Sequence, residues 1–278
     1  MMRHDSKLPI RRLLLAACAS LALAACAKDK AELTYVARDV ETLYNLGADT
    51  LAKGQYLQAA LLFDEVERQH PYSAWARRAQ LMSSFSYYQA NKYQEAILSA
   101  QRFLSLHPGN KDAAYAYYLV AVSYYEQISD VRRDQKITEQ ALNALTELVR
   151  RYPETPYAAD ARLKLDLTRD HLAGKEMEVG RWYQVRGECL AAVHRFNNVI
   201  EKYETTSHVP EALHRLTECY LELGMRGEAQ RTAAVLGYNY PGSKWYKRSY
   251  NLLGGGKLAS KTAAAAPPSG QTSDQIGG

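Results

Sequence analysis

Small and apolar residues recur at fixed distances ahead of five closing residues, Pro71, Pro108, Pro153, Glu204 and Pro241. Twelve positions earlier stand Ala59, Ala96, Ala141, Ala192 and Ala229. Eight earlier stand Phe63, Ala100, Leu145, Phe196 and Ala233, and five earlier Val66, Phe103, Leu148, Val199 and Leu236. Residues three and four apart share a helical face, so each set predicts a helix with one buried stripe. Seventeen positions ahead of the closing residue lie Gly54, Asn91, Gly187 and Gly224, with Lys136 as the exception. Gly or Asn there can take the left-handed conformation that ends a helix. Each copy therefore predicts a helix, a tight turn, a second helix and a stop.

The closing residues are 37, 45, 51 and 37 apart. Tetratricopeptide repeats recur every ~34 residues with small and aromatic anchors at such offsets. The first copy resembles that pattern most, through Leu43, Gly47, Gly54, Tyr56, Ala59, Phe63 and Pro71. The expected fold is all-α: a solenoid of five tetratricopeptide-like helical hairpins over residues 39–250, held by contacts between neighbouring repeats. Leu43, Leu46, Thr50 and Leu51 should face the second helix. Ser73 and Thr155 are expected N-caps, with Pro156 at the first helical position, and a further helix should start at Val209-Pro210-Glu211. His70 and His107 occupy a site held elsewhere by Tyr152, Tyr203 and Tyr240, which marks them as packing groups.

Two places depart from the hairpin. The charged stretch from Ile128 to Lys136 breaks the third copy, either as a functional loop or as a solvated one. The stretch from Pro156 to Arg186 is long enough for a helix of roughly 45 Å. Gly174 and Gly180 each weaken such a helix by about 1 kcal/mol relative to Ala, so a kink or break is expected near Gly174, giving one extended helix or two consecutive ones. The tail, residues 251–278, has almost nothing to bury and is expected to be disordered.

At the other end, Arg3, Lys7, Arg11 and Arg12 precede an uninterrupted small and apolar run from Leu13 to Ala25. The run is too short to span a bilayer as a mature helix. Residues 1–25 therefore form a secretory signal. Leu23-Ala24-Ala25-Cys26 is similar to the bacterial lipobox, which would make Cys26 the lipidated first residue and residues 26–38 a linker. Leu15-Ala16-Ala17-Cys18 has the same letters but leaves a much shorter apolar run, so Cys26 is preferred. A cleaved signal without lipid is the remaining alternative.

The signal changes the charge picture. The whole chain has 35 basic and 30 acidic residues; removing residues 1–25 takes away four and one, leaving 31 and 29. No five like charges run together, and nothing in this pattern marks a nucleic-acid partner. Of the cysteines outside the signal, Cys189 and Cys219 belong to helices expected to be neighbours, so they form either a disulfide or two buried thiols. No catalytic residues, cofactor site or metal site emerge: Cys189 with His194, and His214 with Cys219, are five apart, about 140° around a helix. Carboxylates such as Asp64 and Glu65 read as solvated on an outer face.

Tyrosine is abundant, 21 against 4 Phe and 3 Trp. Tyr87-Tyr88, Tyr117-Tyr118 and Tyr124-Tyr125 fall on first helices of hairpins. Adjacent residues point about 100° apart, so one member of each pair is core and the other is either core or groove.

The stretches from His70 to Met82, Tyr93 to Ala96, Arg102 to Pro108 and Ala114 to Tyr118 carry a resemblance. It continues through Arg133-Asp134-Gln135, Tyr152 to Ala161, Arg181 to Tyr183, Ala191-Ala192 with Arg195, Ala212-Leu213 and Tyr220 to Gly224. Together these resemble the tetratricopeptide-repeat lipoprotein family of the outer-membrane β-barrel assembly machinery, from about residue 35 to 246. Glu204, where the family usually has proline, and Cys189, where an aromatic is common, depart from it. The resemblance implies a non-enzymatic scaffold, lipid-anchored on the periplasmic face of the outer membrane. It would bind the barrel subunit, its accessory lipoproteins and unfolded outer-membrane proteins. It places a substrate-peptide groove at Tyr56, Tyr72, Arg77, Tyr87 and Tyr88, and a docking face at Arg186 and Arg195. Arg195 is otherwise a packed, snorkelling side chain. The alternative functions are a repeat lipoprotein regulating peptidoglycan synthesis or cell division, or the helical superstructure of a lytic transglycosylase.

Overall fold

A computed structural model of the chain describes residues 37–254, and among them every regular element is a helix. They are α1 (Val40–Ala52), α2 (Tyr56–Gln69), α3 (Ala74–Gln89), α4 (Tyr93–Leu106), α5 (Ala113–Tyr125) and α6 (Lys136–Arg151), then α7 (Pro156–Val185), α8 (Cys189–Lys202), α9 (Val209–Glu222), α10 (Arg226–Asn239) and α11 (Lys244–Leu252). The expected signal peptide, Cys26 and the tail beyond Gly254 lie outside the described residues.

The buried stripes explain why these segments are helices. All fifteen anchor positions of α2, α4, α6, α8 and α10 are buried. Each of these helices ends two residues before its closing residue. Gly54, Asn91, Gly187 and Gly224 have φ of 74°, 57°, 77° and 74°, the left-handed conformation their turns require. Ser73 and Thr155 cap α3 and α7 by accepting from the backbone N–H of Ala76 and Ala158.

The described residues divide into two compact units, with the boundary between Lys92 and Tyr93. In the first, α1 packs on α2 and α2 on α3. Leu43, Leu62, Phe63, Val66 and Ala79 form its core, with the Tyr44 ring 4.8 Å from Trp75 at its side. A Cβ on Gly47 would come within 2.9 Å of the Phe63 ring, so the close crossing of α1 and α2 needs glycine there. Leu46 is 39% exposed, less enclosed than Leu43 and Thr50. Leu43, Gly47 and Thr50 are the buried residues of α1, and Tyr44, Ala48 and Leu51 pack beside them.

In the second unit each helix from α4 to α10 packs on its successor, and α11 covers α9 and α10. One core gathers Ala121, Leu145, Leu148, Ala161 and Leu165 of α5, α6 and α7. The other gathers Met177, Phe196, Val199, Leu213, Leu216 and Leu236 of α7 to α10. The helix α7 runs for 30 residues without a break. A Cβ on Gly180 would sit 2.4 Å from the Phe196 ring, and one on Gly174 3.4 Å from His208 Nε2 and 3.6 Å from Val131. The two glycines admit neighbours instead of ending the helix, and tertiary packing outweighs their low propensity.

The irregular stretch of the third copy is an ordered loop. Gln135, which is buried, donates from Nε2 to the carbonyls of Asp130, Val131 and Arg133, and its Oε1 accepts from Thr138 at 2.9 Å. Lys175 of α7 bonds the Arg132 carbonyl, and Arg132 pairs with Glu178 at 3.6 Å. The eleventh helix lies beyond the five expected hairpins. Ser243 caps it, as Ser73 and Thr155 cap theirs, and Ser249 Oγ hydrogen-bonds buried His214 Nδ1 at 2.8 Å.

Candidate functional site

The peptide-groove residues all lie in the first unit, on α2, α3 and the loop between them. Asp64 accepts from Ser83 Oγ and, at 2.6 Å, from Tyr87 OH, and Glu67 accepts from Gln80 at 2.8 Å. These contacts run antiparallel, so Tyr56 at the start of α2 shares an end of the hairpin with Tyr87 and Tyr88. Tyr72 and Arg77 occupy the other end, about 15 Å away along α3. The structure thus gives two clusters rather than one pocket.

Within them, Tyr72 is fully exposed and Arg77 is exposed, while Tyr56 is 37% exposed. Tyr87 and Tyr88 are half-buried. The Tyr87 hydroxyl ties α3 to α2. Asp64 is correspondingly not a solvated outer-face carboxylate. It is enclosed between two helices, because the second helix of a hairpin presents that side to the next helix in the chain. Glu65 is half-buried as well, and the hydrogen bond from Arg68 lowers its pKa. The two histidines pack as expected: His70 Nε2 bonds the Arg38 carbonyl at 2.9 Å, and His107 sits edge-on to Phe103.

The docking residues lie in the second unit. Arg195 of α8 places Nη1 3.4 Å from both Glu176 oxygens, and Asn198 donates to the same carboxylate at 3.1 Å. The Arg195 side chain stays 37% exposed, so it is pinned at one edge and open at the other. Arg186, at the end of α7, lies with its guanidinium 3.7 Å from the centroid of the Trp182 ring. It follows Glu176 by ten residues, again about 15 Å along the axis. Trp182, Val185 and Leu190 are 49%, 87% and 74% exposed and surround the α7–α8 turn. Sequence reasoning missed this apolar patch. The available signal was Trp182 and Val185 three apart, on the side of α7 away from Met177 and Gly180.

Cys189 and Cys219 are free, buried thiols. Cys189 Sγ donates to Glu222 at 3.1 Å. Burial pushes its pKa up, and the contacts with Cys219 and Glu222 push the same way; burial also raises Cys219. Both thiols are therefore poor nucleophiles.

Nearby, Glu218 accepts from Gln184 at 2.8 Å and Arg215 at 3.0 Å and lies 3.2 Å from His214 Nε2. Burial raises its pKa, but these donors more than offset that, and the value falls from 4.5 to about 2. Because the folded value is the lower one, the contribution is complete above pH 4.5 and is lost as pH falls towards 2. A shift of this size corresponds to about 3 kcal/mol, reduced to roughly 1–2 kcal/mol by the carboxylate's partial contact with water. Glu218→Gln should therefore flatten the acid limb of a stability-against-pH curve in that window, and an unchanged acid limb would remove Glu218 from the account.

Among the described residues, no group of His, Cys, Asp and Glu is placed to hold a metal, and no helix is long and apolar enough to cross a membrane. The arrangement offers binding surfaces: aromatic rings beside an exposed guanidinium in one unit, and a pinned arginine beside an apolar patch in the other.

The family model YfiO, outer membrane lipoprotein, matches residues 36–236. A Caulobacter vibrioides protein named outer membrane protein assembly factor BamD is 56% identical over 235 residues, covering 84% of this chain and 77% of its own. A Rickettsia prowazekii protein of the same name is 45% identical over 233 residues, covering 84% and 92%. Among solved structures, a TPR protein of Thermus thermophilus is 21% identical, with a TM-score of 0.36, and covers 77% of this chain and 99% of its own. The helical-hairpin assignment rests on this chain's own geometry and not on that likeness.

Proposed function

The chain belongs to the outer membrane lipoprotein family YfiO, together with the assembly factors named BamD, and on that premise we propose that it is a scaffold subunit for outer-membrane protein assembly. The observation that carries this reading is the 56% identity to such a factor over 84% of the chain. The same relationship favours assembly over a role in peptidoglycan synthesis or cell division. The chain acts by binding: it docks on the barrel subunit and accessory lipoproteins and receives unfolded outer-membrane proteins. Its anchor is a lipid on Cys26, which holds it at the periplasmic face of the outer membrane. Replacing Cys26 with alanine should release the chain from the outer-membrane fraction, and unchanged fractionation would refute lipid attachment there.

In this reading the two clusters on α2 and α3 hold the two ends of one peptide. At ~3.3 Å per residue an extended chain covers about 15 Å in four to five residues. Its terminal carboxylate meets Arg77, which can bind it through two parallel hydrogen bonds. An aromatic side chain near that end rests on Tyr72, and the upstream residues lie against Tyr56, Tyr87 and Tyr88. A peptide ending in Phe with a free carboxylate should bind at least about tenfold tighter than its amidated form, and Arg77→Ala should abolish that difference. Equal binding of the two forms to the unmodified chain would place the carboxylate elsewhere.

The docking face in this reading centres on Arg195 and Arg186, with Trp182, Val185 and Leu190 as apolar anchors. Exposed Trp and Arg side chains beside an apolar patch match the composition of interface centres.

A further inference from the structure

Net positive charge is concentrated at the end of the described chain. From Arg226 to Gly254 there are five cations, Arg226, Arg231, Lys244, Lys247 and Arg248, and one carboxylate, Glu228. The whole protein carries a net charge of only +5. Glu228 is already paired with Arg231 at 2.9 Å. Three of the cations lie on α11, which has no acidic residue of its own.

The helix sorts its residues by face. Trp245, Tyr246 and Ser249 point inward: Trp245 packs on His214, and Tyr246 fills the space where a Cβ on Gly237 would stand. At 100° per residue, Lys244, Lys247, Arg248 and Asn251 then share the opposite face, and all four are exposed. Leu252, 50% exposed, flanks this face on one side, and Tyr250, 39% exposed, on the other. Lys244 Nζ, Arg248 Cζ and Arg215 Cζ lie 5.0, 4.8 and 5.6 Å from the centroid of the Trp245 ring. Arg215 is neutralised by Glu211 and Glu218. Lys244, Lys247 and Arg248 make no ion pair among the described residues.

This arrangement is locally unfavourable. Like charges three and four apart on a helix repel, and cations in a first helical turn oppose the helix dipole. An anionic partner reverses both effects. We propose that the outer face of α11 binds the phosphate headgroups of an anionic phospholipid surface, a second membrane contact in addition to the lipid on Cys26. Charge complementarity identifies the occupant. Three unpaired cations flanked by a tyrosine and a leucine suit the headgroup layer, where basic side chains meet phosphate and aromatic or aliphatic ones enter the interface. The family is one of outer membrane lipoproteins, so a phospholipid surface is within reach of the chain. The contact is independent of the assembly role, since a chain that captures the barrel subunit can still fail to bind lipid.

The test uses the chain from residue 26 onward carrying Cys26→Ala, so that no acyl group can hold it. It is floated with phosphatidylcholine vesicles, and with vesicles containing roughly a third phosphatidylglycerol. The chain should float with the anionic vesicles only, and increasingly less as salt is raised. The combined variant Lys244→Gln, Lys247→Gln, Arg248→Gln should lower the partition by between about tenfold and a hundredfold, with an unchanged unfolding midpoint. Arg226→Gln with Arg231→Gln should lower it much less. Equal flotation with both vesicle types, or full retention by the triple variant, overturns the proposal. So does release by inorganic phosphate but not by chloride of equal ionic strength, which would mark a small-anion site. Failure to bind any vesicle also overturns it, and if the same three residues then hold an acidic protein, the face belongs to a protein partner.

Discussion

Phe196→Ala should destabilise the second unit by about 3–5 kcal/mol, the cost of removing a fully buried phenyl ring and leaving part of its volume empty. The ring has 0% exposure and lies among Met177, Ala192, Val199, Leu213 and Leu216. Its edge occupies the space where a Cβ on Gly180 would come within 2.4 Å. The first unit repeats the design with Gly47 and Phe63, sixteen residues apart as Gly180 and Phe196 are. The contact itself is testable through a double-mutant cycle. Gly180→Ala should be destabilising beside Phe196, because the new methyl collides with the ring. In the Phe196→Ala background the same methyl enters the cavity, and its cost should shrink or change sign. An unchanged midpoint for Phe196→Ala would remove the ring from the core, and additive single effects would remove the glycine contact.

Arg195→Glu should weaken capture of the barrel subunit by at least about thirtyfold, on the order of 2 kcal/mol or more for reversing one member of a buried interfacial charge pair. Reversal also sets two carboxylates together at Glu176, so the measurement needs a control. Glu176→Gln frees Arg195 without removing it. If Arg195 reaches a partner carboxylate, this variant should capture the subunit as well as the unmodified chain or better. If Arg195 only braces α8 against α7, both variants should shift the unfolding midpoint by similar amounts and leave capture intact.

The periodic part of the fold was legible because it depends on local rules. An anchor that must be small or apolar every three to four residues, and a turn that must be left-handed, leave their mark in the chain itself. Ala59, Ala96, Ala141, Ala192 and Ala229 are all buried, and the four turn formers all have positive φ. What was not legible depends on partners distant in the chain. Asp64 looks solvated until Ser83 and Tyr87 are brought to it, 19 and 23 residues later. Gly174 and Gly180 look like helix breakers until Val131, Phe196 and His208 fill the space beside them. The ordered loop of the third copy turns on one side chain, Gln135, whose four hydrogen bonds no local pattern announces.

The candidate site divides in the same way. Exposure of Tyr72 and Arg77 follows from their place just outside and just inside a helix start. The tie from Tyr87 to Asp64 and the pairing of Arg195 with Glu176 are tertiary. The apolar patch of Trp182, Val185 and Leu190 shows only once the opposite side of α7 is known to be filled. The eleventh helix was marked by Ser243 after Pro241-Gly242, the same cap that Ser73 provides after Pro71, but it falls after the last repeat, where the five-copy register ends.

The most direct test of the scaffold role is purification of the tagged chain from detergent-extracted membranes, followed by mass spectrometry of the proteins that come with it. The account predicts recovery of an outer-membrane barrel protein with periplasmic repeat domains, together with smaller lipoproteins. Recovery of a peptidoglycan synthase, with no barrel protein, would contradict it and leave the helical hairpins and the family standing without the assembly role.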